Sequence, residues 1–152
     1  MTNPIPEGMH SVTPALTLKN CAEALEFYKK AFGALEVDRA GDPSGKKIWH
    51  AAFKIGDSTI FCNDEFPEMG AIARPASLWI YGPDIDARFE RAVAAGAVAA
   101  MPPADAFWGD RFAKVTDPFG NDWTLAQRVK NLTPAEMNAA ADAAIAAMNK
   151  KS

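Results

Sequence analysis

Apolar positions near the start of the chain follow a strand-like and then a helix-like period. Leu16 and Leu18 alternate with polar residues, which indicates a strand with one buried face. The next apolar residues, Leu25, Tyr28 and Phe32, are spaced three and four apart, as on one face of a helix. The sequence therefore predicts a short strand followed by an amphipathic helix.

Capping residues mark the ends of this helix, and the same pattern recurs later in the chain. Asn20 precedes the helix as a capping residue, and Gly33 suits the left-handed position that follows a helix. Asp84 and Gly96 have the same places around a second helix, and Asp84 lies 64 positions after Asn20. The same spacing separates two glycines at predicted hairpin turns, Gly56 and Gly120. The chain therefore contains an internal repeat.

Each predicted helix is followed by three segments that have the composition and alternation of strands. In the first half these are residues 34–40, 47–55 and 58–63, and in the second half 97–101, 111–116 and 122–128. Each half is thus β-α-β-β-β, with module one at about residues 10–66 and module two at about 76–129. We expect a single α+β domain over residues 1–152, in which the tandem modules form a curled mixed sheet around a cavity.

A third helix is predicted at about residues 133–149. Thr133 is its capping residue, Pro134 takes the first helical position and Glu136 completes a capping box. An apolar face follows, which must pack on the body of the protein or on a partner: Met137, Ala141, Ile145 and Met148.

Strand alternation predicts which side chains face the cavity. Leu78 and Ile80 suit the side covered by a helix, so Ser77, Trp79 and Tyr81 should face the cavity. The same argument places three residues near the first strand there: Thr13, Ala15 and Thr17.

Charge and composition exclude several classes of function. The formal net charge is −3 and the sixteen basic residues are scattered, which argues against a nucleic-acid partner. No apolar run is long enough to span a bilayer, and the first residues lack a secretory signal pattern, so we expect a cytoplasmic protein without membrane contact. Cys21 and Cys62 are then expected to be free, buried thiols.

The first helix and the last hairpin carry a family resemblance. Their sequences, AEALEFYKKAFG at 22–33 and DPFGNDWTL at 117–125, resemble those of the glyoxalase, bleomycin-resistance and extradiol-dioxygenase superfamily, also called vicinal oxygen chelate proteins. The likeness covers about residues 10–128, and segments 50–57, 64–68 and 107–111 resemble its PhnB-like branch. The resemblance implies paired modules around a cavity, and a homodimer.

The resemblance also implies where a metal would bind, at the first and last strands of each module. The corresponding residues are Thr13, Ile60, Ser77 and Thr124. Two threonines, a serine and an isoleucine do not make a credible ligand set for a divalent ion, which needs three or four strong donors. We therefore predict no metal site and no cofactor.

Five further side chains are candidates for function or for packing. His50 should face the cavity as a general base or a ligand donor, or it bonds a neighbour. Trp108 caps a core or walls a binding site, while Trp49 and Trp123 are expected in the core. Arg111 is either a clamp for an anionic ligand or the partner of an acid such as Asp105 or Asp110.

Two classes of function follow from these residues. The first is a metal-free protein that binds or sequesters a planar or cationic small molecule between aromatic walls, the cationic preference coming from Asp64, Glu65 and Glu68. The alternative is an enzyme of the lyase, isomerase or dioxygenase type, in which His50 acts as base or an atypical metal site operates.

Overall fold

A computed structural model describes residues 1–151 and contains two similar modules followed by a helix. Module one comprises β1 (Ala15–Leu18), α1 (Cys21–Phe32), β2 (Leu35–Gly41), β3 (Ile48–Ile55) and β4 (Ser58–Asp64). Module two comprises β5 (Ser77–Tyr81), α2 (Ile85–Ala95), β6 (Val98–Asp105), β7 (Asp110–Thr116) and β8 (Asp122–Arg128). A 3₁₀ turn (Pro67–Met69) lies between them, and α3 (Pro134–Asn149) follows.

The two sheets have the same topology. Their strand orders are β1-β4-β3-β2 and β5-β8-β7-β6, with a parallel first pair and antiparallel pairs elsewhere. This confirms the predicted α+β fold of tandem βαβββ modules. Within the described residues, the two sheets are hydrogen-bonded separately and are not closed into one barrel.

The helix starts differ from one module to the other. Asn20 caps α1 as predicted, because its side chain accepts a hydrogen bond from the backbone of Glu23. Asp84 does not cap α2 with its side chain, so that prediction is wrong. Its backbone is left-handed, with φ of 55°, and Gln127 Oε1 accepts the hydrogen bond from the Ile85 amide instead.

The modules meet through their helix sides, around an aromatic core. The Tyr28 ring of α1 lies 5.2 Å from that of Trp123 on β8, and its hydroxyl donates to Asp117 at 2.7 Å. Trp123 Nε1 donates to the same carboxylate at 2.9 Å, and Trp123 is fully buried, as predicted. Arg91 of α2 donates to the Lys30 carbonyl at the end of α1. Residues of both modules thus share one core.

The same prediction for Trp49, that it packs in the core, is wrong. Trp49 is 45% exposed and contacts Phe66. The pairing of β2 with β3 shifts there, because Ala40 pairs with His50 while Gly41 pairs with Ile48. Trp49 is the extra residue of this bulge, and a bulge interrupts the alternation of faces on which the prediction rested.

Cys21 and Cys62 are free and buried, as predicted, with their Sγ atoms 3.2 Å apart. The hydrogen bond between them and burial raise the pKa of the Cys21 thiol. A thiol with a raised pKa is a poor nucleophile at neutral pH, so this pair belongs to the packing of the core.

The third helix begins as its sequence predicts. The Thr133 hydroxyl accepts from the Glu136 amide, and the Glu136 carboxylate accepts from the Thr133 amide, which is a complete capping box. No residue of α3 is buried, and Met148 is 70% exposed. In the part of the chain that the structure describes, no helix has the length and apolar character needed to cross a membrane.

Candidate ligand-binding face

The second sheet carries four aromatic side chains on the face opposite its helix. The register places Trp79 beside Thr124 and Tyr81 beside Ala126, and Ala126 in turn beside Phe112, so these side chains share one face. Trp108, from the loop before β7, joins them, and its ring lies 6.2 Å from Trp79 and 5.2 Å from Phe112. We call Trp79, Tyr81, Trp108 and Phe112 the aromatic face.

The aromatic face is open to solvent in the single chain. Trp79 is 49% exposed and Tyr81 is 55% exposed, which is high for side chains of this size. Leu78 and Ile80, which alternate with them, pack against the core instead. The sequence prediction that Ser77, Trp79 and Tyr81 face away from the helix is therefore correct in direction.

A buried carboxylate holds two side chains of this face, and the neighbouring Arg128, in place. Asp110 is fully buried and accepts hydrogen bonds from the Tyr81 hydroxyl at 2.8 Å, Trp108 Nε1 at 2.8 Å and Arg128 Nε at 2.6 Å. The bond to Asp110 raises the pKa of Tyr81, and the same carboxylate raises the pKa of Arg128. Tyr81 and Trp108 are therefore oriented before any ligand arrives.

From the sequence, Asp110 is expected only as a possible partner of Arg111, and Arg128 is not singled out. A usable signal was present, because Asp110 and Phe112 alternate on one strand and buried indole and phenol groups need hydrogen-bond partners. The backbone supports the arrangement. Gly109 has φ of +95°, its carbonyl accepts from Val129 and Lys130, and a Cβ there would collide with the Lys130 carbonyl.

Arg111 does not lie on the aromatic face. It is on the helix side of the second sheet, where it forms ion pairs with Asp86 of α2 at 2.9 Å and with Asp105 at 3.1 Å. These partners raise the pKa of Arg111, with Asp86 the larger contributor. Arg111 thus pairs with acids, which is the second of the two roles expected for it. The structure does not bring it together with Trp79, Tyr81 and Trp108.

The other residues predicted to line the cavity differ in how far they are buried. Thr124 is buried, between Trp79 and Lys114 in the register of the second sheet. Ser77 is exposed at the start of β5, and Thr13 is half-buried just before β1. Thr124 can therefore pack beneath the rings of the aromatic face, whereas Ser77 is accessible from solvent.

His50 belongs to the first sheet, on the face that its helix does not cover. It is half-buried, and its imidazole ring lies edge-on to Phe61, with 4.7 Å between ring centroids. Both nitrogens lack a hydrogen-bond partner among the residues that the structure describes. The single chain thus keeps His50 and the aromatic face on separate sheets.

One of the four positions predicted to correspond to metal ligands is wrong. Ile60 packs in the core and cannot face a cavity. Ala15 pairs with Phe61, while its counterpart Trp79 pairs with Thr124, so Phe61 is the residue that corresponds to Thr124. The hairpin turn before β8 is longer than that before β4. The residue of β4 that corresponds to a given residue of β8 therefore lies one position later than the repeat spacing predicts.

The corrected set does not fit a metal either. Thr13, Phe61, Ser77 and Thr124 offer only weak neutral oxygens and a phenyl ring. Between residues 1 and 151 there is no group of three or more His, Cys, Asp or Glu side chains arranged to hold an ion. No step through a metal ion is therefore derived for this chain.

Two carboxylates of the acidic run, Asp64 at the end of β4 and Glu65 after it, have a structural role. Asp64 is buried and accepts hydrogen bonds from the amides of Cys21 at 2.9 Å and Ile48 at 2.7 Å. Glu65 accepts from the Ala73 amide. These carboxylates tie segments of the fold together, so they give no support to the expected preference for a cationic ligand.

The fold and this geometry can be compared with known proteins. Residues 9–125 match the family model described as Glyoxalase/Bleomycin resistance protein/Dioxygenase superfamily. The chain belongs to this superfamily. Membership confirms the resemblance drawn from the first helix and the last hairpin.

Relatives of this superfamily protein include uncharacterized proteins of mycobacteria. The uncharacterized protein Rv0887c of Mycobacterium tuberculosis is 40% identical over 139 residues, which are 86% of this chain and 81% of the relative. The uncharacterized protein Mb0911c of Mycobacterium bovis is equally similar and is covered to 91%.

Solved structures share the fold at lower identity. TioX from Micromonospora sp. ML1 has a TM-score of 0.64 at 22% identity, covering 82% of this chain and 100% of that protein. A Bacillus cereus protein described as a putative 3-demethylubiquinone-9 3-methyltransferase, PhnB protein, has a TM-score of 0.58 at 19% identity, covering 78% and 99%. The superfamily fold thus includes PhnB-like neighbours, as its sequence motifs predicted.

Proposed function

We propose that this protein binds a planar small molecule on the aromatic face, without a metal ion. The observation that carries the proposal is the buried Asp110, which fixes Tyr81 and Trp108 by hydrogen bonds while leaving the rings accessible. Side chains already fixed in one orientation lose little entropy when a ligand stacks on them. Flat rings 5 to 6 Å apart favour a flat partner.

A second copy of the chain completes the site in this proposal. Trp79 and Tyr81 are large side chains left exposed on one surface, and such a surface is typical of a protein or ligand contact. The uncovered face of the first sheet, which carries His50, is equally available. A homodimer would set the face of one chain against that of its partner and enclose the ligand between them.

The stacking role is tested with a neutral planar probe, 2-naphthalenemethanol, titrated by calorimetry. A Trp79→Ala variant should weaken binding about fivefold, because it removes a ring contact of about 1 kcal/mol. Val93→Ala is the control, since Val93 is an exposed apolar side chain on α2, which covers the opposite face of the second sheet. Equal weakening by both variants, or a larger effect of Val93→Ala, would contradict the proposal.

The metal-free character is tested on the purified protein. Elemental analysis together with thermal-shift titration of Zn²⁺, Mn²⁺ and Ni²⁺ should find neither stoichiometric metal nor a large stabilisation. A bound ion at one per chain would instead support an enzyme with an atypical metal site.

An enzyme that uses His50 is the second candidate. The observation that favours it is an imidazole without a hydrogen-bond partner among the described residues, on an uncovered sheet face. A neutral imidazole in such a place can accept a proton from a ligand. His50→Ala that abolishes turnover of a bound compound while leaving its affinity unchanged would establish this candidate.

A further inference from the structure

The charged groups of the aromatic face are not equivalent. Its two carboxylates are already engaged, since Asp110 accepts three hydrogen bonds and Asp122 accepts one from the Thr116 hydroxyl at 2.8 Å. Asp110 is also fully buried, so a ligand cannot reach it. Of these two negative charges, Asp110 is thus out of reach of a cationic ligand, and Asp122 has its Oδ1 oxygen already bonded.

The positive charges are more available. Arg128 uses Nε for Asp110, yet its side chain is 45% exposed, and a guanidinium carries five N–H donors. Lys114 is half-buried and forms no ion pair with any described residue. A lysine on this face that has no acid partner favours an anionic ligand, which can accept a charge-assisted hydrogen bond from it.

The register places Lys114 within reach of a ligand on the rings. Lys114 is opposite Thr124, and Thr124 is opposite Trp79, so Lys114 and Trp79 share one face two strands apart. At the strand spacing of about 4.8 Å, their Cα atoms are about 10 Å apart. Phe112 shares this face two residues before Lys114 on the same strand. An acidic group on a ring stacked against Trp79 can therefore meet the ammonium group.

We infer that the ligand is a planar aromatic anion, such as an aromatic carboxylate, whose ring stacks on the aromatic face while Lys114 and Arg128 receive its negative charge. The inference rests on the proposed function, because it takes stacking on this face as given. It replaces the cationic preference that the acidic run had indicated.

Three probes that share one ring separate charge from stacking. Binding of 2-naphthoate, 2-naphthalenemethanol and 2-naphthylmethylammonium to the full chain is measured by calorimetry at low salt. We expect 2-naphthoate to bind about tenfold more tightly than the neutral alcohol, the scale of one charge-assisted hydrogen bond, and the ammonium compound to bind most weakly. Added salt should weaken binding of the carboxylate and leave that of the alcohol nearly unchanged.

A Lys114→Gln variant assigns the effect to its residue. It should lower the affinity for 2-naphthoate roughly fivefold and that for the alcohol less than about twofold. Lys46→Gln, in the exposed turn before β3, is the control and should change neither affinity. A thermal unfolding curve close to that of the parent checks that the variant is folded, and Arg128→Lys gives a second test that keeps a charge beside Asp110.

The outcomes distinguish this inference from the proposed function. If the alcohol binds but the carboxylate binds no more tightly, or the ammonium compound binds best, the anionic preference is overturned and stacking stands. Equal loss of both affinities in Lys114→Gln also overturns it. If none of the three compounds binds, the proposed function fails as well.

Discussion

At the scale of single residues, Asp110 explains how the aromatic face stays ordered without a ligand. Its carboxylate is fully buried and receives one donor each from Tyr81, Trp108 and Arg128. Removal of one donor leaves two, whereas removal of the carboxylate leaves all three donors without an acceptor. The two kinds of substitution should therefore differ in their effect on stability.

The first prediction compares Asp110→Ala with Tyr81→Phe. Asp110→Ala should lower the free energy of unfolding by about 3 kcal/mol, because it removes the acceptor of three hydrogen bonds that contribute about 1 kcal/mol each. Tyr81→Phe should cost about 1 kcal/mol, the net value of one hydrogen bond. Urea unfolding followed by tryptophan fluorescence measures both, and equal losses would contradict a central role for the carboxylate.

Residue-scale predictions from the sequence succeeded where strand alternation is regular. Trp79 and Tyr81 follow a simple period of two, and the direction predicted for both is correct. The prediction for Trp49 failed because a bulge inserts one residue. The metal-ligand position assigned to Ile60 was wrong because two hairpin turns differ in length. The hydrogen bonds of Asp110 join residues 29 and 18 positions apart, and no local pattern encodes such pairs.

At the scale of elements, helix ends were the most predictable feature of the chain. Thr133 and Glu136 form the capping box that their spacing indicates, because its bonds link residues only three apart. Asp84 has a capping residue type but not a capping conformation, since its backbone is left-handed. Tertiary contact with Gln127 supplies the missing acceptor there, and this contact joins positions 42 apart.

The capping box leads to a prediction about pH. Hydrogen bonds from Thr133 lower the pKa of Glu136 below its ordinary value. A group whose pKa is lower in the folded state stabilises that state above its unfolded pKa, and the contribution is lost as the pH falls through the folded value. The first turn of α3 should therefore fray at acid pH, below the usual pKa of a glutamate.

Amide chemical shifts of Thr133, Ala135 and Glu136, followed by NMR during acid titration, measure this fraying. Glu136→Gln is the control, since its amide can still accept the hydrogen bond but does not titrate. A first turn that loosens at the same pH in the parent and in the variant would contradict the assignment to Glu136.

The turn before β7 gives a prediction about a glycine. Gly109 combines a positive φ with close contact to the Lys130 carbonyl, so a methyl group there requires movement of backbone. Gly109→Ala should lower the free energy of unfolding by about 2 kcal/mol. Gly45→Ala is the matched control, because Gly45 also has a positive φ but has open space around it, and thermal unfolding of the two variants compares strain with and without a clash.

At the scale of the whole molecule, one buried hydrogen bond links the two modules. The Tyr28 hydroxyl of module one donates to Asp117 of module two, a buried carboxylate that also accepts from Trp123. Burial and the nearby Asp117 raise the pKa of Tyr28, so the phenol stays protonated as a donor. Tyr28→Phe should cost about 1 to 2 kcal/mol without loss of secondary structure.

Chemical unfolding followed by circular dichroism and by tryptophan fluorescence tests this bond. Trp123 lies in the shared core and is one of four tryptophans that contribute to the fluorescence, so both signals should shift to lower denaturant together if the modules unfold as one unit. Tyr81→Phe removes a hydroxyl within module two alone and serves as a comparison. Separate transitions in the parent protein would contradict a common core.

The expected homodimer is also a property of the whole molecule. Size-exclusion chromatography with light scattering should give a mass near twice 16.3 kDa at micromolar concentration. The open aromatic face is the reason, because a monomer would leave these rings in water. A monomeric mass at every concentration would contradict this arrangement and leave each face as a shallow, one-sided site.

Because the modules meet through their helix-covered sides, their two uncovered sheet surfaces can change independently of each other during evolution. Each uncovered sheet surface lies away from the shared interior, so substitutions on one surface leave the packing of the other half undisturbed. After a duplication, the two surfaces are free to acquire separate chemistries. The first now carries an imidazole beside a phenyl ring, and the second carries a cluster of indole and phenol groups ordered by one carboxylate.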